Sequence, residues 1–344
     1  MSGDMRTEDK EAVAEGTVLV LGGSGYLGRA VSLALDAAGW DVVALSRSGT
    51  AAAGRGVRGD VTRHNLGLSG DEAAALRGSV TRIVSCFGSV DWSAGPATAL
   101  DLHAAGVRTM LRFARDCPGL GGLVHVSSLL AFGRAEGVVG NRELYVGQTF
   151  RNWYEYGKYH AEALVREARD LPITTIRFGP LLGPDPSGAP LNAADGLPAV
   201  LPYLVQGYPV HLRDGGRFPS YAGDVACAAE LVGRAVARPA AGATWTWYDP
   251  DLPTVSEVLH RLCRPWGVVP KIVDWPAVGR LQRLVAGRIG LPKALLDYAE
   301  PWFQIDPAVL SALPGGIPRC RPGYLDATGA ALRAPDADLQ GSFV

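Results

Sequence analysis

Short apolar segments alternate with amphipathic ones along the first half of the chain. Thr17–Leu21 is an apolar, β-branched run that ends in glycine, which is typical of a strand buried in a parallel sheet. From Tyr26 to Ala38 the apolar residues Leu27, Val31 and Leu35 recur at helical spacing. The same patterns predict further strands at Asp41–Leu45, Arg82–Phe87, Leu123–Ser127 and Ile173–Phe178, and further helices at Ala97–Asp116 and Tyr154–Arg169. Alternating strands and helices predict an α/β fold with a doubly wound parallel sheet.

The second half of the chain is more irregular. Prolines crowd the segment that follows Gly179, which excludes a regular helix there. A helix at Asp224–Ala237 and a strand at Ala243–Tyr248 are predicted to return to the main sheet. We therefore expect a polar, disordered leader at 1–16, a nucleotide-binding domain at 17–180 and a smaller mixed substrate lobe at 181–344, from which 224–248 rejoins the sheet.

Composition narrows the functional class. The 344 residues include 47% apolar and 19% charged residues with a net charge of −1, values usual for a globular enzyme. Without a basic run, nucleic acid is not an expected partner. No stretch reaches the roughly 18 uncharged apolar residues of a membrane span. Five scattered cysteines favour a reducing cytoplasm over a disulfide scaffold, and no metal site is expected.

A glycine-rich turn lies between the first predicted strand and the first predicted helix. In Gly22-Gly23-Ser24-Gly25-Tyr26-Leu27-Gly28, the first glycine permits a tight turn. Gly25 lets the backbone approach a pyrophosphate, and Gly28 allows close packing of helix on strand. The helix N-terminus supplies free N–H groups for the phosphates. The turn therefore predicts a bound dinucleotide, with Ser24, Tyr26 and Leu27 among its contacts.

The end of the second strand indicates which dinucleotide binds. The segment Ser46-Arg47-Ser48 has an arginine between two hydroxyls, which suits a ribose 2′-phosphate, and no carboxylate competes for that position. We therefore favour NADP(H) over NAD(H), with Arg55 and Arg58 as possible helpers. Asp60 and Val61 are expected at the adenine edge. Two further expected cofactor contacts lie at the end of the strand at 82–87: Phe87, its last residue, and Gly88, the next one.

Tyr154 and Lys158 carry the candidate chemistry. Four residues apart on a predicted helix, the phenol and the ammonium project from the same face. The chain has only four lysines, so the pairing is unlikely to arise by chance. A nearby positive charge favours the phenolate, so we expect the pKa of Tyr154 to be lowered and the phenol to transfer a proton beside a carbonyl.

Several motifs in order resemble one family, the extended short-chain dehydrogenase/reductases of the NAD-dependent epimerase/dehydratase type, whose fold is Rossmann-like. The resemblance spans about residues 17 to 263. It rests on GGSGYLG at Gly22, VSSLLAFG at Val126, YEYGK at Tyr154 with Glu162 following, IRFGPLLGP at Ile176, GDVA at Gly223 and DPDLPTVSEVL at Asp249.

The resemblance assigns roles to three residues. It implies that Tyr154 is the general acid/base, that Lys158 lowers its pKa and holds the nicotinamide ribose, and that Ser128 hydrogen-bonds the reacting oxygen. The alternative for the Ser127–Ser128 pair is that both hydroxyls satisfy backbone groups at a strand end. The resemblance also implies a homodimer through the helices at 97–116 and 154–169.

The chain departs from the family pattern at two places. An asparagine that family members often carry is His103 here, which we expect to be structural. Where sugar 4,6-dehydratases carry adjacent acidic residues, this chain has Leu129 and Leu130. Elimination chemistry is therefore disfavoured, and we expect an apolar pocket wall.

On the substrate side, Arg217 occupies the place where nucleotide-sugar epimerases clamp a diphosphate, with Arg213 and Arg321 as weaker candidates. Gln148 and Asn152, between the serine and the tyrosine, are further candidate substrate contacts. The leading hypothesis is an NADP(H)-dependent oxidoreductase that interconverts a ketone and a secondary alcohol on a natural-product or sugar-derived substrate. Alternatives are a nucleotide-sugar epimerase with tightly bound cofactor, an acyl-thioester reductase, and a non-catalytic NADP-sensing protein.

Overall fold

The computed structural model describes residues 16–89, 91–92, 94–188, 196–274, 296–301 and 303–334. The predicted leader lies outside these residues, apart from Gly16. The strands are β1 (Thr17–Leu21), β2 (Asp41–Ser46), β3 (Arg55–Arg58), β4 (Val80–Ser85), β5 (Gly122–Ser128), β6 (Val138–Val139), β7 (Ile173–Phe178), β8 (Leu181–Leu182), β9 (Val210–Leu212), β10 (Gly223–Asp224), β11 (Thr244–Trp247), β12 (Ile272–Asp274) and β13 (Gln304–Ile305). The helices are α1 (Tyr26–Ala37), α2 (Gly70–Ser79), α3 (Pro96–Leu100), α4 (Gly106–Arg115), α5 (Trp153–Glu167), α6 (Leu201–Val205), α7 (Val225–Ala237), α8 (Val255–Cys263) and α9 (Tyr324–Arg333).

Seven parallel strands form the main sheet, in the order β3-β2-β1-β4-β5-β7-β11. This order confirms the predicted doubly wound α/β fold. Side chains alternate across each strand: Val18 and Val20 of β1 face the core beneath α1 and α7, whereas Leu19 and Leu21 face α2, α4 and α5. Strand order reverses between β1 and β4, and ligands bind at the carboxyl edge of such a switch point.

The C-terminal region adds smaller elements to this sheet. α7 packs on the sheet and β11 pairs with β7, so the chain returns to the sheet after an excursion. A third apolar core lies between α6, α8 and α9. The short parallel pairs β8–β10, β9–β12 and β6–β13 complete the region. Among the described helices, none has the length and apolarity needed to cross a bilayer.

The largest difference from the sequence prediction concerns the helix expected at 97–116. It is divided into α3, a π-helix at Asp101–Ala105, and α4. A π-helical turn is wider than an α-helical one, so its side chains do not follow the usual α-helical spacing. The apolar periodicity of the sequence therefore did not indicate the π-helix. α2 was not predicted, although Ser69 and Glu72 form a capping box at its start.

Candidate active site

The glycine turn packs tightly against the ends of two strands. Gly22 has a φ of +83°, and a Cβ there would lie 2.8 Å from the backbone of Phe87. A Cβ on Gly28 would lie 2.1 Å from the carbonyl oxygen of Gly22, so helix α1 can start this close to β1 only with glycine at 28. These contacts explain both glycines without a ligand.

Gly25 has a different environment, which bears on whether a dinucleotide fits. A Cβ on Gly25 would approach only the Gly22 carbonyl oxygen, at 3.2 Å. Gly25 is also the N-cap of α1, where no side chain caps the helix and the first turn contains no acidic residue. The exposed backbone and the uncapped N–H groups suit a pyrophosphate. The residues present therefore fit the phosphates of a dinucleotide.

Two of the three arginines predicted near the carboxyl end of β2 lie there. Arg58 of β3 is in register with Ser46, whereas Arg55 pairs with Val43, about 10 Å back along the strand. Arg47 is exposed beside them. The hydroxyls of Ser46 and Ser48 lie 3.2 Å apart and also bond within their own loop. The sequence therefore brings two cations, Arg47 and Arg58, to this edge.

Asp60 lies at the same edge of the sheet, where the sequence analysis expected no competing carboxylate. Its carboxylate accepts hydrogen bonds from the backbone and hydroxyl of Thr62, at 2.9 and 2.7 Å. Burial opposes ionisation, but these bonds, with Arg63 and Arg47, hold the pKa of Asp60 below its usual value. A carboxylate is thus within electrostatic reach of Arg47, which the sequence analysis did not anticipate. Val61 is buried and faces Gly106.

Ser128, Tyr154 and Lys158 come together at the carboxyl edge of the sheet. Ser128 ends β5, and its hydroxyl accepts a hydrogen bond from the backbone of Leu130 at 3.1 Å. The same hydroxyl is close enough to the phenol of Tyr154 to lower its pKa. The Lys158 Nζ lies 6.0 Å from the centroid of the Tyr154 ring, one turn along α5. The predicted catalytic side chains therefore share one site.

The pKa predicted for Tyr154 was wrong for this structure. Burial raises the pKa of Tyr154 to about 12, Ser128 lowers it in part, and buried Glu155 raises it further. Burial also lowers the pKa of Lys158 to about 8. The sequence reasoning considered only the charge of the neighbouring ammonium, whereas desolvation disfavours the charged form of both groups. The phenol is consequently protonated at neutral pH.

The two serines at the end of β5 have separate functions. Ser127 donates to the buried carboxylate of Glu162 on α5, with its Oγ 2.7 Å from Oε2. Arg177 of β7 binds the same carboxylate, with Nη2 2.7 Å from Oε1, and its guanidinium lies 4.5 Å from the Phe132 ring centroid. Ser127 therefore ties β5 to α5 through a side chain, whereas the strand-end alternative describes part of what Ser128 does, since its hydroxyl accepts from the backbone of Leu130 beside Tyr154.

Lys158 lies against the end of β4. A Cβ on Gly88 would lie 3.1 Å from the Lys158 Nζ and 3.3 Å from Cε1 of His103. The Phe87 ring packs against Gly106 of α4, and the half-buried Cys86 thiol is close enough to Lys158 for that charge to oppose the rise in its pKa. The expected cofactor residues Phe87 and Gly88 therefore lie between the glycine turn and Lys158.

Two of the candidate substrate contacts have their polar groups engaged within the fold. The Gln148 amide is buried, donates to the Leu144 carbonyl at 2.7 Å and accepts from the Val146 backbone at 2.7 Å. Asn152 caps α5 through its Oδ1 and donates to the Tyr298 hydroxyl at 2.9 Å. In this structure both amides therefore hold neighbouring segments in place, and their contact with a substrate stays a prediction.

The three candidate substrate-binding arginines differ in whether a carboxylate of the protein already pairs with them. Arg321 makes a bidentate pair with Asp224, at 2.6 and 2.8 Å, and Arg213 lies 3.7 Å from Glu300. Arg217 is exposed, and no carboxylate of a described residue pairs with it. Arg217 alone of the three therefore remains available for an anionic substrate.

An aromatic pair near the start of α5 was not foreseen. The rings of Trp92 and Tyr298 have centroids 4.2 Å apart, and the Tyr298 hydroxyl donates to the carboxylate of Glu155 at 2.9 Å. Arg151 pairs with the same carboxylate at 3.0 Å. Residue 298 lies 143 positions from Glu155 in sequence, so local pattern gave no signal of the contact.

The start of α1 is tied to the segment that follows β8. The Tyr26 hydroxyl donates to the Gly183 carbonyl, and the Arg29 Nε lies 2.8 Å from the Asp185 carboxylate. Burial, with Asp224 and Asp185 nearby, raises the pKa of Tyr26. The Tyr26 side chain therefore bridges the two halves of the protein, and Leu27 packs on the core beneath. Ser24 is half-buried in the turn.

Comparison with known families is consistent with this geometry. Residues 41–215 match the family of NAD-binding domains described as male sterility protein. No curated protein sequence matches the chain significantly.

Solved structures of similar fold include a reductase domain and epimerases. The terminal R domain from the myxalamid PKS-NRPS biosynthetic pathway has a TM-score of 0.78 and 21% identity, covering 93% of this chain and 91% of that one. UDP-glucuronic acid 4-epimerase from Bacillus cereus, in complex with NAD, has a TM-score of 0.68 and 14% identity, covering 92% and 98%. MoeE5, in complex with UDP-glucuronic acid and NAD, has a TM-score of 0.67 and 18% identity, covering 92% and 99%. At these identities the likeness establishes the Rossmann-type fold of extended short-chain dehydrogenase/reductases.

Proposed function

Because this chain belongs to the male sterility protein family of NAD(P)-binding domains, we propose that it is an NADPH-dependent reductase of a carbonyl group. The observation that carries the proposal is the meeting of Ser128, Tyr154 and Lys158 beside the glycine turn. The leading substrate class is a ketone that is reduced to a secondary alcohol. Leu129 and Leu130 are both buried and apolar, which favours an apolar substrate. They also disfavour elimination chemistry, because neither side chain can transfer a proton.

The site is suited to reduction. When bound, NADPH supplies a hydride to the carbonyl carbon. The Ser128 hydroxyl donates a hydrogen bond to the carbonyl oxygen, on which negative charge develops. Tyr154 gives its proton to that oxygen, and its raised pKa keeps the proton in place until then. The Lys158 ammonium stabilises the phenolate that remains.

The surroundings of β2 support NADPH over NADH. Arg47 and Arg58 present two guanidinium groups where a ribose 2′-phosphate would lie. The Bacillus cereus epimerase and MoeE5 are both in complex with NAD. A preference for NADPH therefore favours a reductase that consumes its cofactor over an epimerase that retains it. Arg217 is the residue that would serve the epimerase alternative.

A second substrate class is an acyl thioester. The favouring observation is the TM-score of 0.78 with the R domain of a PKS-NRPS pathway, against 0.68 for the Bacillus cereus epimerase. Reduction of a thioester would use the same serine, tyrosine and lysine: hydride adds to the carbonyl carbon, the carbon–sulfur bond breaks, and the products are an aldehyde and a thiol. An aliphatic aldehyde is thus a useful probe for both classes.

The test measures NADPH consumption with octanal, aliphatic ketones and acyl-CoA thioesters. We expect Tyr154→Phe to lower kcat by about 100-fold or more while the Kd for NADPH stays unchanged. Tyr156→Phe, on the same helix, is the matched control and should retain activity. Tight NADPH binding without turnover of any carbonyl would favour the non-catalytic alternative, and epimerisation without net NADPH consumption would favour the epimerase.

We also propose that the protein is a homodimer through α4 and α5. Trp153 and Tyr145 are 43% and 66% exposed, and with Tyr156 and Tyr159 they form a continuous aromatic face beside α5. Exposed aromatic area of this kind is typical of interfaces. Sedimentation equilibrium tests the assignment, and a monomer at micromolar concentration would contradict it.

A further inference from the structure

A tyrosine from the C-terminal region completes the start of α5, the helix that carries Tyr154. The N-cap of α5 is Asn152, whose Oδ1 accepts a hydrogen bond from the Glu155 backbone at 3.0 Å. The Asn152 amide donates to the Tyr298 hydroxyl at 2.9 Å, and that hydroxyl donates to Oε1 of Glu155, also at 2.9 Å. These bonds join Asn152, Glu155 and Tyr298 in a closed ring, which we call the cap ring. Tyr154 lies between two of its members in the sequence.

The cap ring differs from an ordinary helix cap, in which residues a few positions apart satisfy one another. In a capping box the side chain of the third helical residue returns to the backbone of the N-cap. Here the carboxylate of that residue, Glu155, accepts from the backbone of Arg151 at 2.7 Å and from a hydroxyl 143 positions away. The start of α5 is therefore not fixed by its own sequence alone.

Tyr298 is itself held from several sides. Its ring stacks on Trp92 with centroids 4.2 Å apart, and the guanidinium of Arg151 lies 5.3 Å from its centroid. The Arg151 Nε also donates to the carbonyl of Asp297 at 3.0 Å. The stacked ring and the anchored backbone together direct the Tyr298 hydroxyl at the cap of α5.

The segment around Tyr298 belongs to the third apolar core, between α6, α8 and α9. Leu296 and Ala299, on either side of Tyr298 in the sequence, are both buried in that core. The backbone of Arg213 donates to the carbonyl of Ala299 at 2.9 Å. The cap ring therefore joins the first turn of α5 to the core of the C-terminal region.

The charges within the cap ring favour its hydrogen bonds. The side chain of Glu155 is 0% exposed, and Arg151 lies 3.0 Å from its carboxylate. Burial, together with the charge of Glu155, raises the pKa of Tyr298, so its hydroxyl keeps the proton that it donates. A buried carboxylate that loses a donor is left partly unsatisfied, which is costly. Without the hydroxyl, Glu155 should therefore shift, and the neighbouring Tyr154 should shift with it.

We propose that Tyr298 is a positioning residue: through the cap ring, its hydroxyl fixes the first turn of α5 and thereby the direction in which the Tyr154 phenol meets the substrate oxygen. The part that concerns catalysis rests on the proposed function. A displacement of about 1 Å can lower a rate about 100-fold. Since the other bonds of Asn152 and Glu155 remain when the hydroxyl is removed, we expect a loss of roughly tenfold.

The kinetic test removes only this hydroxyl. Tyr298→Phe keeps the aromatic ring that stacks on Trp92. With NADPH and octanal, we expect kcat to fall roughly tenfold while the Kd for NADPH stays within about twofold. When Tyr154→Phe is already present, adding Tyr298→Phe should change the residual kcat less than about twofold, because the phenol that it would displace is absent.

Tyr324→Phe is the matched control. It also removes a hydroxyl of the C-terminal region that bonds within the fold, since the Tyr324 hydroxyl donates to the carbonyl of Ala222 at 3.1 Å. This variant should keep kcat within about twofold of the parent. Equal losses from Tyr298→Phe with and without Tyr154 would assign Tyr298 a purely structural role, and an unchanged kcat would remove it from catalysis.

The position of the turn has a test that needs no activity. Hydrogen–deuterium exchange, followed by mass spectrometry, compares the unmodified protein with Tyr298→Phe. We expect the amides of residues 153–158 to exchange roughly tenfold faster in the variant and those of α7 to be unchanged. Equal exchange at 153–158 would overturn the proposal that Tyr298 fixes this turn. If the unmodified protein turns over no carbonyl, the proposed function fails, and the exchange rates alone decide whether Tyr298 holds α5.

Discussion

Replacing Glu162 by glutamine should destabilise the fold strongly, although the two side chains have nearly the same shape. The carboxylate of Glu162 and the guanidinium of Arg177 are both 0% exposed, and Nη2 and Oε1 are 2.7 Å apart. Arg177 also donates to the carbonyls of Gly140 and Glu143, at 2.9 and 2.6 Å. The guanidinium therefore stays buried in the variant and loses its counter-ion.

The magnitude follows from this geometry. Removing one partner of a buried ion pair costs about 3–5 kcal/mol, because the remaining charge is uncompensated. A second cation near Glu162, Arg166, is 30% exposed. Solvent screens this ion pair, so its loss adds at most about 1 kcal/mol to the destabilisation. We expect the free energy of unfolding of Glu162→Gln to fall by about 3–5 kcal/mol.

Urea unfolding followed by tryptophan fluorescence measures this difference. Asp170→Asn is the matched control, because Asp170 accepts a bidentate pair from Arg115 at 2.6 and 2.9 Å but lies on the surface. The control should leave the free energy of unfolding unchanged within error. The double variant with Arg177→Met should be more stable than Glu162→Gln alone. A loss below about 1 kcal/mol for Glu162→Gln would refute the reasoning.

The effect should also depend on pH. Burial raises the pKa of Glu162, but the Arg177 charge and hydrogen bonds from Arg177 and Ser127 outweigh it, so the net shift is downward from 4.5. A group whose folded pKa is depressed stabilises fully above its unfolded pKa and loses that contribution as pH falls through the folded value. The stability gap between parent and variant should therefore narrow below about pH 4.3.

Three further predictions concern the active site. Because the pKa of Lys158 is about 8, kcat/KM should fall as the pH rises above that value. In Lys158→Arg the fall should begin at a higher pH, and a pH profile that does not change in this variant contradicts the prediction. In a fluorescence titration, Arg47→Ala should raise the Kd for NADPH about tenfold and leave the Kd for NADH unchanged. Arg55→Ala should change neither Kd. Gly28→Ala should destabilise by about 1–3 kcal/mol in urea unfolding, because its Cβ would meet a backbone oxygen at 2.1 Å. Gly78→Ala, in open space, should not.

The sheet and the grouping of Ser128, Tyr154 and Lys158 followed from local signals. The run Thr17–Leu21, the glycines after it and the helical spacing of Tyr154 and Lys158 each occupy a few consecutive positions. Local pattern therefore predicted β1, α1 and α5 to within about two residues of their observed bounds. β4 begins and ends two residues before the predicted strand, since Thr81 and Arg82 interrupt its apolar run.

Contacts between distant residues account for what sequence reasoning missed. The amides of Gln148 and Asn152 had no visible partners until the loop at 144–148 and Tyr298 were in place. The pKa of Tyr154 depends on burial, which no local spacing encodes. Likewise, the two ring nitrogens of His125, which have no hydrogen-bond partner in the described part of the chain, become buried only when α5 covers β5.

The ties of Tyr26 to Gly183 and of Asp224 to Arg321 also bear on how the protein is made. The helix α1 is translated well before residue 183, so its tyrosine hydroxyl lacks the Gly183 acceptor until that residue has been added. The carboxylate of Asp224, which caps α7 beside it, stays without its guanidinium until residue 321 follows. In a nascent chain that stops short of Arg321, the contacts around α1 and α7 are incomplete. We therefore expect this region to be sensitive to protease until synthesis has passed residue 321.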